Sequence, residues 1–148
     1  MATLAQIVVV LIGVGVATLL LWEPHLEGRN IHATTFEIYF KDPFLAYVYA
    51  SSVAFFIALY QTCKVLGYVK ENQAFSFLTT KALRTIRYCA ITLSLTILGA
   101  EAWIIVTQAG KDDITGGVAM GLLLLLLSTA IAVTAHVLEK RSQQSHKA

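Results

Sequence analysis

Apolar residues fall into four long runs, Leu4–Trp22, Phe44–Leu66, Ile86–Gln108 and Gly116–Leu138, separated by polar connectors. Each run is about 19–23 residues long, and about 20 residues of helix cross the hydrocarbon core of a bilayer. A buried helix of a soluble protein would show a polar face, and these runs show very little of one. The pattern predicts four transmembrane helices. The expected fold is all-α, a single membrane domain over 1–148, built as a compact antiparallel four-helix transmembrane bundle with a flexible polar tail at 139–148. The first run is not read as a cleaved signal. No Lys or Arg precedes it, it is too long, and "LLLWEPH" has no small-x-small cleavage site.

The connectors carry most of the local signals. Trp22 closes the first run at the interface that indoles favour, and Pro24 is expected to stop the helix. In the first connector Phe36, Ile38 and Phe40 alternate weakly, which suggests a short strand or an interfacial segment. Asp42 suits an N-cap and Pro43 a first helical turn. Phe44, Tyr47 and Tyr49 form an aromatic belt at that end of helix 2. The second connector holds its own helix start. Asn72 suits a left-handed turn, Phe75 can staple the loop to the apolar face, and Ser76 can cap a helix beginning at Phe77. Phe75, Leu78, Ala82 and Ile86 then repeat at three- and four-residue spacing as one apolar face. Lys81, Arg84 and Arg87 form a basic stripe beside it. This is an amphipathic lead-in to helix 3.

Composition agrees with a lipid solvent. The chain is 57% hydrophobic and only 14% charged, whereas soluble domains carry about 25% charged residues. A net charge of +2 is too weak to argue for direct nucleic-acid binding. Its distribution is more informative. The second connector with its helix ends (Lys64, Lys70, Lys81, Arg84, Arg87) and the tail (Lys140, Arg141, Lys147) hold eight basic residues. The first and third connectors hold three, Arg29, Lys41 and Lys111. Positive charge marks the cytoplasmic side, so both termini and the second loop are expected to be cytoplasmic, with the first and third loops outside.

One ionisable residue falls inside a span. Glu101 lies seven residues from the end of helix 3, roughly 10 Å deep at 1.5 Å per residue. A carboxylate at that depth costs about 2.5–3.5 kcal/mol and must face the bundle or water. Arg87, Ser94, Glu101 and Gln108 recur every seven residues as a polar seam. Ser51, Ala54, Ala58 and Gln61 offer a matching face on helix 2. Helices 2 and 3 are therefore expected to pack seam to face, with Glu101 hydrogen-bonded near Ser51 or Tyr47. A single polar packing contact is the plain reading, and a proton or cation site the sharper one.

The other candidates are weaker. Cys63 and Cys89 lie near the cytoplasmic end of adjacent helices and fit small apolar packing, with a redox switch or palmitoylation as the alternative. His25, His32, Glu23 and Glu27 are read as exposed loop residues rather than a metal site. His136 and His146 are not paired at matching depth inside the bundle, so haem is not expected; no cofactor or metal is. Gly117-x-x-x-Gly121 and Gly13-x-x-x-Ala17 permit close helix approach, within the bundle or in a homo-oligomer. No nucleophile–base pair or phosphate loop survives the topology, so the chain is not expected to be an enzyme.

Residues 43–91, "PFLAYVYASSVAFFIALYQTCKVLGYVKENQAFSFLTTKALRTIRYCAI", carry a resemblance. The proline-led aromatic start, "FFIALYQ", Lys64 and Leu66, "ENQAFS" and "KALRTIRYCA" resemble a family of small bacterial membrane proteins, domain of unknown function 2975. The resemblance implies a plasma-membrane protein without an assigned activity, often paired with small helix-turn-helix transcription regulators. The expected function is therefore non-enzymatic, regulatory or accessory. A cytoplasmic partner would dock on the second loop through Phe75, Phe77, Lys81, Arg84 and Arg87, residues that also suit lipid headgroups. Two alternatives stand beside it: a small transporter or proton-coupled sensor using Glu101, and a structural subunit of a larger membrane complex.

Overall fold

A computed structural model describes residues 1–26, 34, 36–37, 43–108, 110 and 114–147, apart from the side chains at 23–26 and 146–147. Four helices make the fold: α1 (Ala2–Leu26), α2 (Pro43–Lys70), α3 (Phe77–Gln108) and α4 (Thr115–Lys147). All four are long and apolar enough to cross a membrane, and no strand occurs among the described residues. In the first connector the described residues Phe36 and Glu37 are helical. Thr34 and Glu37 form a reciprocal cap, with Thr34 N donating to Glu37 Oε2 at 3.1 Å and Glu37 N to Thr34 Oγ1 at 3.4 Å. "TTFE" carries the S/T-x-x-E spacing of that motif. Ile38, Phe40, the Asp42 cap, Lys111, Asp112 and Asp113 lie outside the described residues.

Packing runs in series: α1 lies on α2, α2 on α3, and α3 most extensively on α4. Contacts along each pair move in opposite directions. Gln6 Nε2 donates to the Cys63 carbonyl at 3.0 Å, Gly13 faces Leu59, and the Tyr49 hydroxyl donates to the Leu20 carbonyl. That last acceptor has a simple origin. Proline has no backbone N–H, so Pro24 cannot donate to Leu20, and α1 continues to Leu26 with its freed carbonyl taken by Tyr49 of α2. Proline therefore does not stop the helix where expected. A second interhelical bond joins α2 to α3, Tyr47 Oη donating to the Thr96 carbonyl at 2.8 Å.

The largest departure from the sequence pattern is at the end carrying the second connector and the C-terminal residues, here termed the basic end. α3 starts nine residues before Ile86 and α4 continues nine residues past Leu138. The expected flexible tail is helical. Two of its polar residues pack against α3: Glu139 and Ser142 are buried, and the Thr80 and Ser142 hydroxyls lie 2.6 Å apart. A small apolar core of Leu83, Ile86 and Ala135, with Val65 against it, sits just below.

Between α2 and α3 the chain turns within six residues. Asn72 takes φ 59°, the left-handed conformation expected of it. Gln73 N donates to the Tyr68 carbonyl at 2.7 Å and Asn72 N to Val69 at 3.2 Å, the Schellman pattern that ends a helix. Ser76 then caps α3, accepting from Thr79 N at 3.2 Å, while the Thr79 hydroxyl donates back to the Gln73 carbonyl at 2.8 Å. Phe75 does not staple this turn. It is 56% exposed, and Thr80, one turn along, faces Ser142 instead.

Candidate functional site

The polar seam of α3 exists, but it faces α4 rather than α2. Thr80 meets Ser142, Ser94 meets Ser128 at 2.8 Å, and Glu101 meets Gly121. Each step of seven residues along α3 is matched by a step of seven along α4, and Ala135 fills the layer opposite Arg87. A seven-residue repeat keeps one face of each helix turned to the other over several turns. The small residues at 121, 128, 135 and 142 are what let the polar side chains of α3 approach. Helix 2 offers no such matched series. Ser51 turns back to the Tyr47 carbonyl of its own helix at 2.8 Å, Gln61 is half-buried, and Gln108 is exposed at the end of α3.

Glu101 is 8% exposed, and a Cβ at Gly121 would lie 1.4 Å from its Oε1. The carboxyl thus occupies the notch that glycine leaves, and neither Ser51 nor Tyr47 bonds it. Its Oε2 has no hydrogen-bond partner. Tyr47 instead lies over Gly99, where a Cβ would come within 2.7 Å of its hydroxyl. Pro43, Phe44, Tyr47, Gly99, Ala100 and Trp103 line an apolar cavity of about 260 Å³ between α2 and α3 at that end.

At the basic end the same seam closes in an ion cluster. Glu139 Oε1 accepts from Arg84 Nε at 2.9 Å and Gln143 Nε2 at 3.1 Å. Arg87 Nη1 lies 2.8 Å from Glu139 Oε2, close enough for an ion pair although its N–H is not aimed there. That N–H serves His136 Nδ1, at 2.9 Å. Arginine has no acceptor, so Nδ1 accepts. The Glu139 side chain is 4% exposed, and those of Arg87 and Arg84 are 20% and 53% exposed. Two of the three residues in the basic stripe are therefore committed to a buried carboxylate, and Lys81 alone is simply exposed. Sequence reasoning missed Glu139 because it opened a tail that looked solvated. Its signal was the register: a lone acid one helical turn beyond Ala135, the residue level with Arg87 on the facing helix.

Comparison with known proteins assigns the lineage. The family model described as protein of unknown function (DUF2975) matches residues 30–145. The chain belongs to this family. It is also similar to the uncharacterized membrane protein YoaS of Bacillus subtilis (strain 168), with 35% identity over 136 residues, 91% of this chain and 84% of YoaS. No solved structure matches. For this DUF2975 member an integral membrane protein with four spans is the supported description.

The remaining candidates can be placed within that frame. Phe75, Phe77 and Leu78 stand exposed around the second turn. The buried face of the lead-in is Thr79, Thr80, Ala82, Leu83, Ile86 and Ala90, so the expected apolar face holds at Ala82 and Ile86 but not at Phe75 and Leu78. Cys63 and Cys89 are free and half-buried. Gly13 and Gly121 are filled by neighbouring helices within the chain, whereas a Cβ at Gly117 would touch nothing. Among the described residues no three His, Cys, Asp or Glu groups come together as metal ligands. His32 and Glu27, and the side chains of Glu23, His25 and His146, lie outside the described ones.

Proposed function

We propose that this protein is a non-enzymatic regulatory or accessory protein of the bacterial plasma membrane, which presents the turn between α2 and α3 to a cytoplasmic protein partner. The observation that carries this reading is the exposure of Phe75 and Phe77, 56% and 71%, on a turn held by its own hydrogen bonds. Exposed aromatic side chains on a pre-ordered backbone can bind with little ordering cost, and aromatic anchors supply most of the energy at interfaces. The excess of basic residues at this end supports its cytoplasmic placement, with both termini inside. The family resemblance favours a small helix-turn-helix regulator as the partner.

The clamp on Glu139 decides which variants test this. Reversing Arg84 and Arg87 would press new carboxylates against a buried one and damage the fold. Phe75→Ser with Phe77→Ser leaves the clamp intact. Gentle solubilisation from native membranes, followed by mass spectrometry, should find a soluble regulator with the wild type and lose it in the double variant. Lipid alone in both samples would reduce the two aromatics to interfacial anchors and overturn the reading.

A second reading, a proton-coupled sensor or small transporter, is favoured by the unpartnered Oε2 of buried Glu101. It predicts that Glu101→Gln abolishes a pH response or flux in vesicles. A mild stability change alone would return Glu101 to packing.

A further inference from the structure

We infer that the Lys81–Arg84–Tyr88 face of α3 is a binding site for the phosphate of an anionic phospholipid headgroup. Arg84 is the centre of the argument. Its Nε is used by Glu139 Oε1 at 2.9 Å, and its terminal amino groups have no partner among the described residues. A buried carboxylate thus holds the Nε edge of the guanidinium while four N–H donors remain without a described protein partner, on a side chain 53% exposed. That planar fork matches two oxygens of a phosphate.

The neighbours fit the same ligand. Lys81 and Tyr88 lie three residues before and four after Arg84, on the same helical face, and both are exposed. Arg87 lies 4.9 Å over the Tyr88 ring and steadies it. The cluster of Lys81, Arg84, Arg87 and Glu139 keeps a net positive charge, and Lys140 and Arg141, next along α4, are also basic and exposed.

Position separates a lipid from free phosphate. Arg84 stands two residues before the apolar run that opens at Ile86. Below it Tyr88, Ile91, Leu95 and Leu98 continue the same exposed face at alternating spacings of three and four, a track along which an acyl chain can lie. A soluble anion would use the fork and have no use for the track. The inference does not depend on any protein partner at the second turn.

The test uses the full chain in detergent. Dihexanoyl phosphatidylglycerol, the matching phosphatidylcholine and inorganic phosphate are titrated separately, with native mass spectrometry as readout. Phosphatidylglycerol should be preferred over phosphatidylcholine, and inorganic phosphate should bind negligibly. Lys81→Gln should weaken phosphatidylglycerol about fivefold, from the ~1 kcal/mol that one basic residue gains near an anionic headgroup. Arg84→Gln should weaken it at least as much. Glu139→Gln discriminates further. It raises the net positive charge but frees the fork, so a built site weakens while unspecific attraction strengthens. Circular dichroism of each variant reports the fold, and Lys81→Gln touches no buried group. Equal binding of the two lipids, equal binding of inorganic phosphate, unchanged affinity in Lys81→Gln and Arg84→Gln, or tighter binding in folded Glu139→Gln would each overturn the assignment.

Discussion

Glu101 on α3 and Gly121 on α4 share one space: a Cβ on the glycine would lie 1.4 Å from Glu101 Oε1 and 2.5 Å from its carboxyl carbon. The acid and the glycine are one packing unit. Gly121→Ala should lower stability by about 1–3 kcal/mol, the usual cost of overpacking. Glu101→Ala in the same chain should recover most of that loss. A thermal melt in detergent of both single variants and the double decides it, and strictly additive losses would show that the two do not meet.

Glu139 is the residue whose loss should cost most at the basic end. Glu139→Ala strands Arg87 and removes the acceptor of Arg84 and Gln143. Breaking a buried pair from one side costs about 3–5 kcal/mol. Ser142→Ala removes one buried hydrogen bond and should cost about 1 kcal/mol. Helicity measured by circular dichroism should fall in Glu139→Ala as the last turns of α4 fray, and stay unchanged in Ser142→Ala.

Tyr49 and Pro24 make a complementary pair. Tyr49→Phe leaves the Leu20 carbonyl without its donor and should cost about 1–3 kcal/mol, the range for an unsatisfied buried polar group. Pro24→Ala restores a backbone N–H four residues along, so the double variant should be more stable than Tyr49→Phe alone. Melting temperatures of the three variants in one detergent give the answer.

Asn72 sits at φ 59°, where glycine is at ease and a β-branched residue is not. Asn72→Gly should be close to neutral. Asn72→Val should cost on the order of 1–3 kcal/mol and loosen the turn that carries Phe75 and Phe77. Limited proteolysis at the turn, compared between the two variants, should show faster cleavage only in the valine chain.

Much of the site was half legible. The heptad of Arg87, Ser94 and Glu101 can be read from spacing alone, because a helix returns to the same face every two turns. Which helix receives it cannot. The small and polar residues of helix 2 look as suitable as those of helix 4, and only the matched heights of residues 121, 128, 135 and 142 break the tie. The basic stripe misled for a related reason. Spacing shows that Arg84 and Arg87 share a face, but not that a buried acid from a distant part of the chain stands against it.

The sequence by itself determined the membrane class, the four helices and the turn at Asn72 and Ser76. These depend on run length, on hydropathy, and on local backbone chemistry within a few residues. Tertiary structure alone decided that α3 pairs its polar seam with α4, that residues 139–147 are helical, and that Pro24 is bridged by Tyr49. Each of those rests on contacts between residues at least twenty apart in the chain. Polar groups inside a bilayer must find partners within the protein, and which partner comes within reach is set by how whole helices pack.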